Sequence, residues 1–169
     1  MVRLRELCIC DIDYMYEFIE DSSITSNFVF TRYPISKEKL IDFIRTSWTD
    51  TKNVHFAIVG ETDEYFGTIS LKNIDYINRN AEYAIIIRKK FWGKNFAFEA
   101  TQNIIEYGFN RLNLRKIYLN VLSCNVRANK FYEKFGFIRE GIFKEHLYID
   151  GRYEDLIWYS IFKTESVSN

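Results

Sequence analysis

The chain has 169 residues and a mass of 20.3 kDa, which is the size of one ordinary domain. Hydrophobic residues make up 47% of the sequence and charged residues 27%, so an intrinsically disordered chain is excluded. Basic and acidic residues balance at 23 each, which disfavours a general nucleic-acid-binding protein. No apolar run approaches the roughly 18 residues of a membrane span. We therefore expect a cytoplasmic protein with a single domain over residues 1–163, a flexible tail over residues 164–169, and neither nucleic acid nor membrane as a partner.

The N-terminal third predicts one strand and two helices. Apolar and charged residues alternate from Val2 to Leu7, as they do in a short strand. Asp11 is placed to cap a first helix and Ser36 to cap a second, each ahead of apolar residues with helical spacing. Between the helices, the aromatic-rich segment Ser22–Pro34 is predicted to be an irregular loop with a functional role.

The middle of the chain predicts strands followed by a long helix. Val54–Val59 and Phe66–Leu71 predict two strands, and Ala81–Ile87 predicts a third that is nearly all apolar, as in a strand covered on both faces. Helical spacing follows from Asn95 to Leu112, and strand-like alternation resumes over Lys116–Leu122.

The last third predicts a short helix and a hairpin. Gly136 can end the helix, and Asp150-Gly151 is the strongest hairpin signal in the chain. The whole order is β-α-α-β-β-β-α-β-α-β-β. It predicts an α+β fold with four helices and a mixed, mostly antiparallel twisted sheet of about seven strands. Only the unit at residues 81–122 requires a parallel crossover.

Cysteine and histidine residues give no sign of a metal site. Cys8 and Cys10 have no second pair beside them, and His55 and His146 are isolated in the sequence. The odd cysteine count has no disulfide spacing, which agrees with a reducing compartment. We expect no bound metal.

The junction between the third of the middle strands and the long helix, Arg88–Ala97, is a candidate anion site. A helix start leaves free backbone N–H groups and the positive end of the helix dipole. Gly93, Asn95 and Ala97 are small or tolerate a left-handed backbone, so a phosphate can approach those groups. Taken alone, the segment fits a diphosphate site and an ordinary strand-to-helix turn with a solvated basic patch equally well.

A second motif follows the next strand. Asn125-Val-Arg-Ala opens the short helix, which ends in Tyr132-Glu-Lys-Phe-Gly-Phe. Together the two motifs resemble the GNAT superfamily of acyl-CoA-dependent N-acetyltransferases, and they occur in the order and spacing of that family. The chain is most similar to the branch that contains the ribosomal-protein alanine and bacterial spermidine acetyltransferases. It departs from the family pattern at Asn95, where glycine is usual, and at Trp92, where many relatives have Arg or Gln.

The resemblance implies acetyl-CoA as the cosubstrate and a binding surface for it. The strand backbone at Ile85–Arg88 is expected to pair with the pantetheine, and its separation from the following parallel strand would make room for it. Asn125 matches a residue that hydrogen-bonds the pantetheine region, although it is also a helix cap. The implied contacts are Ile85, Ile86, Ile87, Arg88, Trp92, Gly93, Lys94, Asn95, Phe96, Ala97, Asn125, Arg127 and Lys130. Of these, Arg127 and Lys130 are either contacts of the coenzyme A 3′-phosphate or ordinary solvated charges, and Lys94 has the same two interpretations.

Acetyl transfer to an amine requires a base that removes a proton from the amine, and it can be assisted by an acid that protonates the leaving sulfur. An alkylamine of pKa near 10.4 is only about 0.04% neutral at pH 7, an unfavourable term of roughly 4.6 kcal/mol, so removing its proton is the largest requirement. Glu82 is the candidate base, because it is a carboxylate within an otherwise apolar strand. It can equally mark the strand edge. Tyr132 matches the family position whose phenol faces the sulfur of coenzyme A, and is the candidate acid.

The acceptor is the least determined part of the reading. Acidic and aromatic residues in Ser22–Pro34 and His146–Tyr153 suit a cationic amine, and they are also typical of a solvated surface over core aromatics. A polyamine, a protein N-terminus and an amino sugar remain open. Cys124 has no histidine near it in sequence, so direct attack in a ternary complex is favoured over an acyl-cysteine intermediate. The alternative is a non-catalytic acyl-CoA-binding or protein-interaction module on the same fold. The family resemblance permits a homodimer, which no residue here specifies.

Overall fold

The computed structural model describes residues 1–26 and 35–164, apart from the side chains of Ser22 and Ser23. Its strands are β1 (Arg3–Glu6), β2 (Val54–Val59), β3 (Tyr65–Asp75), β4 (Asn80–Ile87), β5 (Lys116–Leu122), β6 (Ile138–Ile149) and β7 (Arg152–Phe162). Its helices are α1 (Ile12–Glu20), α2 (Ser22–Thr25), α3 (Lys37–Ser47), α4 (Phe96–Asn110) and α5 (Val126–Phe135). Short 3₁₀ turns at Ile9–Asp11 and Lys89–Phe91 precede α1 and the loop before α4.

The strands form one seven-stranded sheet in the order β1-β2-β3-β4-β5-β7-β6. β4 and β5 pair in parallel, and the other neighbours pair antiparallel. The predicted α+β fold with a mixed, mostly antiparallel sheet is confirmed, as is the single parallel unit. None of the helices in the described ranges has the length and apolar character needed to cross a lipid bilayer.

Two predictions in the N-terminal third need correction. The segment predicted as an irregular loop begins with the short helix α2, and its residues 27–34 lie outside the described residues, as do residues 165–169 of the predicted tail. Asp11 does not cap α1. Its carboxylate accepts the Cys8 N–H at 2.9 Å and pairs with Arg5 at 2.8 Å, so it caps the preceding 3₁₀ turn. The predicted cap at Ser36 is confirmed, since its hydroxyl accepts the Lys39 N–H at 3.3 Å.

The sheet separates two hydrophobic cores. On one face, α4 and α5 pack over the central strands, with Ile104 and Leu119 among the buried residues. On the other face, α1 and α3 pack over β2 and β3, with Ile44 and Val59 fully buried. Because side chains of a strand alternate between faces, neighbours in β4 project into different environments.

Candidate active site

The central feature of the site is a wedge-shaped gap between β4 and β5. Their parallel pairing starts at Asn80–Lys116 and, within the described residues, ends at Glu82–Tyr118. Both strands continue beyond that pair, to Ile87 and Leu122, without pairing with each other. The expected separation of the two strands is therefore present, and their free ends line the gap.

The backbone of β4 offers hydrogen-bonding groups to this gap. The Arg88 N–H donates to the Phe66 carbonyl on β3 at 2.8 Å, so the backbone groups of Arg88 point away from the gap. In an antiparallel pair the direction of these groups alternates, which turns Ile86 towards β3 and turns Ile85 and Ile87 towards the gap. Ile85 and Ile87 can therefore pair with an extended ligand. The prediction that Ile86 and Arg88 do so as well is corrected.

The Arg88 side chain is also used within the protein. It is 93% buried, and it forms a two-pronged ion pair with Glu17 of α1, with both contacts at 2.8 Å. The guanidinium donates to the Tyr65 carbonyl at 3.0 Å and lies 4.3 Å from the centre of the Tyr14 ring. Arg88 therefore joins α1 to the end of β4.

The loop before α4 has the geometry of an anion cradle. Asn95 adopts a left-handed backbone with φ of 57°, which confirms that asparagine keeps the shape expected of glycine there. Gly93 also has positive φ, 78°, and the space where a side chain would stand is open. The first turn of the 15-residue helix α4 follows at once, and the first turn of a helix has backbone N–H groups without a partner inside the helix. The residues present fit a diphosphate group.

Other groups of the cradle residues make contacts within the protein. Phe96 stacks on Phe66 with ring centres 4.4 Å apart, and the Ala97 carbonyl accepts the Thr101 hydroxyl at 2.6 Å. Both residues therefore offer only backbone N–H groups to a ligand. Lys94 is exposed, with its ammonium 5.6 Å from the centre of the Phe91 ring.

Two further residues predicted to bind the cosubstrate, Trp92 and Arg127, contact each other across the gap. The guanidinium of Arg127, on α5, lies 3.9 Å from the centre of the Trp92 ring. The Trp92 indole N–H donates to the Ile87 carbonyl at 2.8 Å. The loop after β4 and the helix after β5 are thereby in contact.

The start of α5 holds the other two predicted contacts. Asn125 caps the helix, since its side-chain oxygen accepts the Ala128 N–H at 3.1 Å. Its amide nitrogen has no hydrogen-bond partner among residues 1–26 and 35–164, so it can bind a ligand. Lys130 is exposed one turn after Arg127, on the same side of the helix.

Tyr132 projects from α5 towards the sheet at the gap. Its side chain is buried, and its ring packs edge-on against the Tyr83 ring, with the two ring centres 6.1 Å apart. Among the described residues no group accepts a hydrogen bond from its hydroxyl or donates one to it. Burial raises the pKa of Tyr132 well above its ordinary value. The phenol therefore keeps its proton at neutral and mildly alkaline pH, as a general acid must.

Sequence reasoning missed the residues that hold Tyr132 in place. The Tyr159 hydroxyl lies 3.0 Å from the Asn129 amide oxygen and 3.0 Å from a Glu133 carboxylate oxygen, which share its one proton, and the Asn129 amide donates to the Leu122 carbonyl at 3.1 Å. These bonds fix α5 to β7 and to the end of β5. The signal available was the polar pair Asn129 and Glu133 on the helix beside Tyr132, but its partner on β7 is distant in sequence.

Glu82 occupies the opposite face of the sheet from Tyr132. Its neighbour Tyr83 contacts Tyr132, and adjacent side chains of a strand point to opposite faces. The Glu82 carboxylate is half-buried, and it accepts bonds from Lys72 at 2.8 Å and from Asn73 at 3.0 Å. Burial and the nearby Glu82 carboxylate raise the pKa of Tyr118. Glu82 is thus a paired carboxylate at the point where the gap opens.

Cys124 lies in the turn between β5 and α5. Burial, with the Glu154 carboxylate nearby, raises the pKa of its thiol. A raised pKa lowers the thiolate fraction, which disfavours Cys124 as a nucleophile.

Comparisons with known proteins agree with this architecture. Residues 2–138 match the model of the acetyltransferase (GNAT) domain family. The chain is 33% identical to the spermidine N(1)-acetyltransferase of Vibrio cholerae over 153 residues, covering 90% of this chain and 88% of that protein. It is 32% identical to the spermidine N(1)-acetyltransferase of Escherichia coli, covering 96% and 86%. A putative ribosomal N-acetyltransferase of Bacillus subtilis is 31% identical, covering 76% and 70%.

A solved structure of one of these relatives has the same fold as this chain. The crystal structure of the Vibrio cholerae spermidine N-acetyltransferase with CoA and spermine superposes with a TM-score of 0.88 at 32% identity, and 95% of each chain is covered. The chain belongs to the GNAT family of acetyltransferases. It is an acetyl-CoA-dependent N-acetyltransferase of the branch that its motifs indicated.

Proposed function

We propose that this protein transfers the acetyl group of acetyl-CoA to a primary amino group of a polyamine, by direct attack within a ternary complex. The observation that carries the proposal is the placement of Glu82 and Tyr132 on opposite faces of the sheet at the opening of the β4–β5 gap. A thioester lying in that gap can receive an amine from one face and lose its thiolate towards the other.

The cosubstrate supplies the thioester, and residues of this chain bind and orient the cosubstrate. Ile85 would pair with the pantetheine through its backbone groups, Ile87 through its N–H, since its carbonyl already accepts the Trp92 indole N–H, and Asn125 through its side-chain amide. Residues 93–97 are placed to hold the diphosphate, and Lys94, Arg127 and Lys130 to add positive charge. These contacts involve both sides of the gap, so binding would fix the thioester between them.

Glu82 and Tyr132 would move the two protons of the reaction. Glu82 accepts a proton from the acceptor ammonium, directly or through water, so that the neutral amine forms beside the thioester. At pH 7 that neutral form lies roughly 4.6 kcal/mol above the ammonium. The neutral nitrogen forms its bond to the carbonyl carbon, the carbon–sulfur bond breaks, and the sulfur receives the Tyr132 proton. The acylated nitrogen then carries one proton too many, and it releases that proton through water to the Tyr132 phenolate, which restores the phenol. The raised pKa of the Cys124 thiol supports this direct route over an acyl-enzyme.

The choice of a polyamine rests on the relatives. Two of them, from Vibrio cholerae and Escherichia coli, are spermidine N(1)-acetyltransferases, and the Vibrio cholerae structure contains spermine. Exposed aromatic rings at the β6–β7 turn suit a cation, with Tyr148 and Tyr153 5.1 Å apart. Two acidic residues of the same hairpin are used within the protein, because Asp155 pairs with Lys144 and Glu154 with Arg152.

Three broader features complete the proposal. Residues 1–163 act as one domain, as the continuous sheet supports. The enzyme works in the cytoplasm, which agrees with the free thiols of Cys8, Cys10 and Cys124. It forms at least a homodimer, since a spermidine N-acetyltransferase from Vibrio cholerae is dodecameric.

The test is release of free thiol from acetyl-CoA in the presence of spermidine, spermine, an alanine-terminated peptide and glucosamine. We expect turnover with the two polyamines and little with the others. Turnover with the peptide alone would overturn the acceptor assignment. Binding of coenzyme A by calorimetry without turnover of any amine would favour the non-catalytic module.

A further inference from the structure

The contact between Trp92 and Arg127 spans the proposed cosubstrate cleft. Trp92 belongs to the loop that follows β4, and Arg127 to the first turn of α5, which follows β5. The guanidinium lies 3.9 Å from the ring centre, a distance typical of face-on stacking. The two elements that diverge around the gap are therefore joined again at its wide end.

The Trp92 ring is held in place by one hydrogen bond and by packing against the hydrophobic core. Its indole N–H donates to the Ile87 carbonyl at 2.8 Å, and the half-buried ring packs against the core beneath α1 and α3. By the alternation of β4, that carbonyl is one of the groups that point to the gap. Trp92 is therefore a rigid surface beside the backbone proposed to bind pantetheine.

Arg127 stacks on this ring, and the described residues give it no counter-charge. Burial lowers the pKa of Arg127 below its ordinary value, and within the described part of the chain no carboxylate forms an ion pair with it. Stacking uses the face of a guanidinium and leaves the N–H donors at its edges free. Those edges match the oxygen atoms of a phosphate in a two-pronged geometry.

We propose that Trp92 positions Arg127 to bind the diphosphate of the acetyl-CoA, opposite the backbone N–H groups of residues 93–97. Trp92 directly precedes that cradle, so a guanidinium resting on it lies beside the diphosphate and not beside the ribose 3′-phosphate at the nucleotide end. Arg127 is then a binding residue and Trp92 a positioning residue. This inference rests on the proposed function of the gap and adds the identity of the group that Arg127 contacts.

The decisive experiment measures the dissociation constants of coenzyme A and of 3′-dephospho-coenzyme A by calorimetry. Losing a charge-assisted hydrogen bond weakens binding by about 10- to 100-fold, so we expect Arg127→Ala to weaken both ligands by the same factor in that range. A loss that disappears with 3′-dephospho-coenzyme A would assign Arg127 to the 3′-phosphate and overturn the proposal. The control is Arg111→Ala, which removes an exposed arginine at the far end of α4 and should leave both constants unchanged.

A double-mutant cycle tests the role of Trp92. Trp92→Leu should weaken coenzyme A binding in the parent protein and have a much smaller effect in the Arg127→Ala background, because only the parent has an arginine to position. Equal effects in both backgrounds would show that Trp92 acts independently of Arg127. Arg127→Lys, which keeps the charge without the planar fork, should recover less than half of the lost affinity.

These outcomes are separable from failure of the proposed function. If the unmodified protein does not bind coenzyme A, the proposed function fails first. If it binds and Arg127→Ala binds equally well, only this inference fails. Unchanged melting temperatures confirm that each variant is folded.

Discussion

The carboxylate of Glu82 and the phenol of Tyr132 lie on opposite faces of the sheet, on either side of the point where β4 and β5 separate. Tyr83 establishes this relationship, because its ring packs edge-on against that of Tyr132, with ring centres 6.1 Å apart, and because it is adjacent to Glu82 in the strand. The last β4–β5 pair, Glu82–Tyr118, places the carboxylate at the apex of the gap. An acid and a base separated in this way can serve the leaving sulfur and the attacking nitrogen without competing for one position.

Tyr132→Phe is expected to lower kcat by about 10²-fold, towards the low end of the usual effect of a general acid, because a thiolate is already a tolerable leaving group. The KM for acetyl-CoA and the melting temperature should change little, since the hydroxyl makes no hydrogen bond within the described residues. Steady-state kinetics with spermidine measures the loss. Tyr107→Phe is the control, a half-buried tyrosine on α4 that packs on Phe56 away from the gap. A Tyr132→Phe enzyme with full turnover would remove the acid assignment.

Glu82→Gln is expected to lower kcat/KM for spermidine at pH 7 by about 10²- to 10⁴-fold, with partial recovery as the pH is raised towards the pKa of the free amine. The recovery follows because solvent then supplies the neutral amine that Glu82 would otherwise generate. The measurement is a pH–rate profile of both enzymes. Lys72→Met is the comparison, since it removes the ion-pair partner of Glu82 and keeps the carboxylate. A profile for Glu82→Gln with unchanged shape would mean that Glu82 is structural.

Most of the fold could be predicted from local patterns, whereas pairing at a distance could not. β2 and β5 begin and end at their predicted residues, and the Ser36 cap is found where a serine precedes a helical apolar pattern. Asp11 was misassigned because an aspartate before a helix looks like a cap, and its competing partner Arg5 lies on a different element. Local sequence states which groups a residue carries, but not which distant groups reach it.

The same distinction applies to the site. The left-handed Asn95 and the cap at Asn125 depend on residues within a few positions, and both were predictable. The family resemblance assigns the Arg88 backbone to the cosubstrate, but its N–H bonds to Phe66 on β3, and Glu17 binds its side chain from 71 positions away. The Trp92–Arg127 stack likewise joins two motifs that look independent in sequence.

Glu17→Gln is expected to destabilise the fold by about 1–3 kcal/mol, because it leaves the buried Arg88 guanidinium without its carboxylate. The lower part of that range is favoured, since Glu17 itself is half-exposed and solvent screens part of the interaction. Urea unfolding measures the change. Glu64→Gln breaks the exposed pair with Lys90 and should have a much smaller effect. Equal losses for the two variants would show that the burial of Arg88 adds nothing.

His55 is expected to make stability depend on pH. Its Nδ1 lies 2.7 Å from the Ser70 hydroxyl, and its ring meets Phe43 edge-on at 4.8 Å. Burial lowers the pKa of His55, with Asp50 acting in the opposite direction and Lys72 lowering it further.

The unfolded chain therefore takes up a proton near pH 6.5 that the folded protein does not. The free energy of unfolding accordingly falls as the pH drops below 6.5 and is fully retained above it. The loss is at most about 1.4 kcal/mol per pH unit, because one imidazole binds at most one proton. Urea unfolding between pH 5 and pH 7.5 should show a shallower slope for His55→Gln than for the parent protein. His146→Gln, at an exposed position on β6, should keep the parent slope. A parent slope that survives His55→Gln would assign the dependence to other groups.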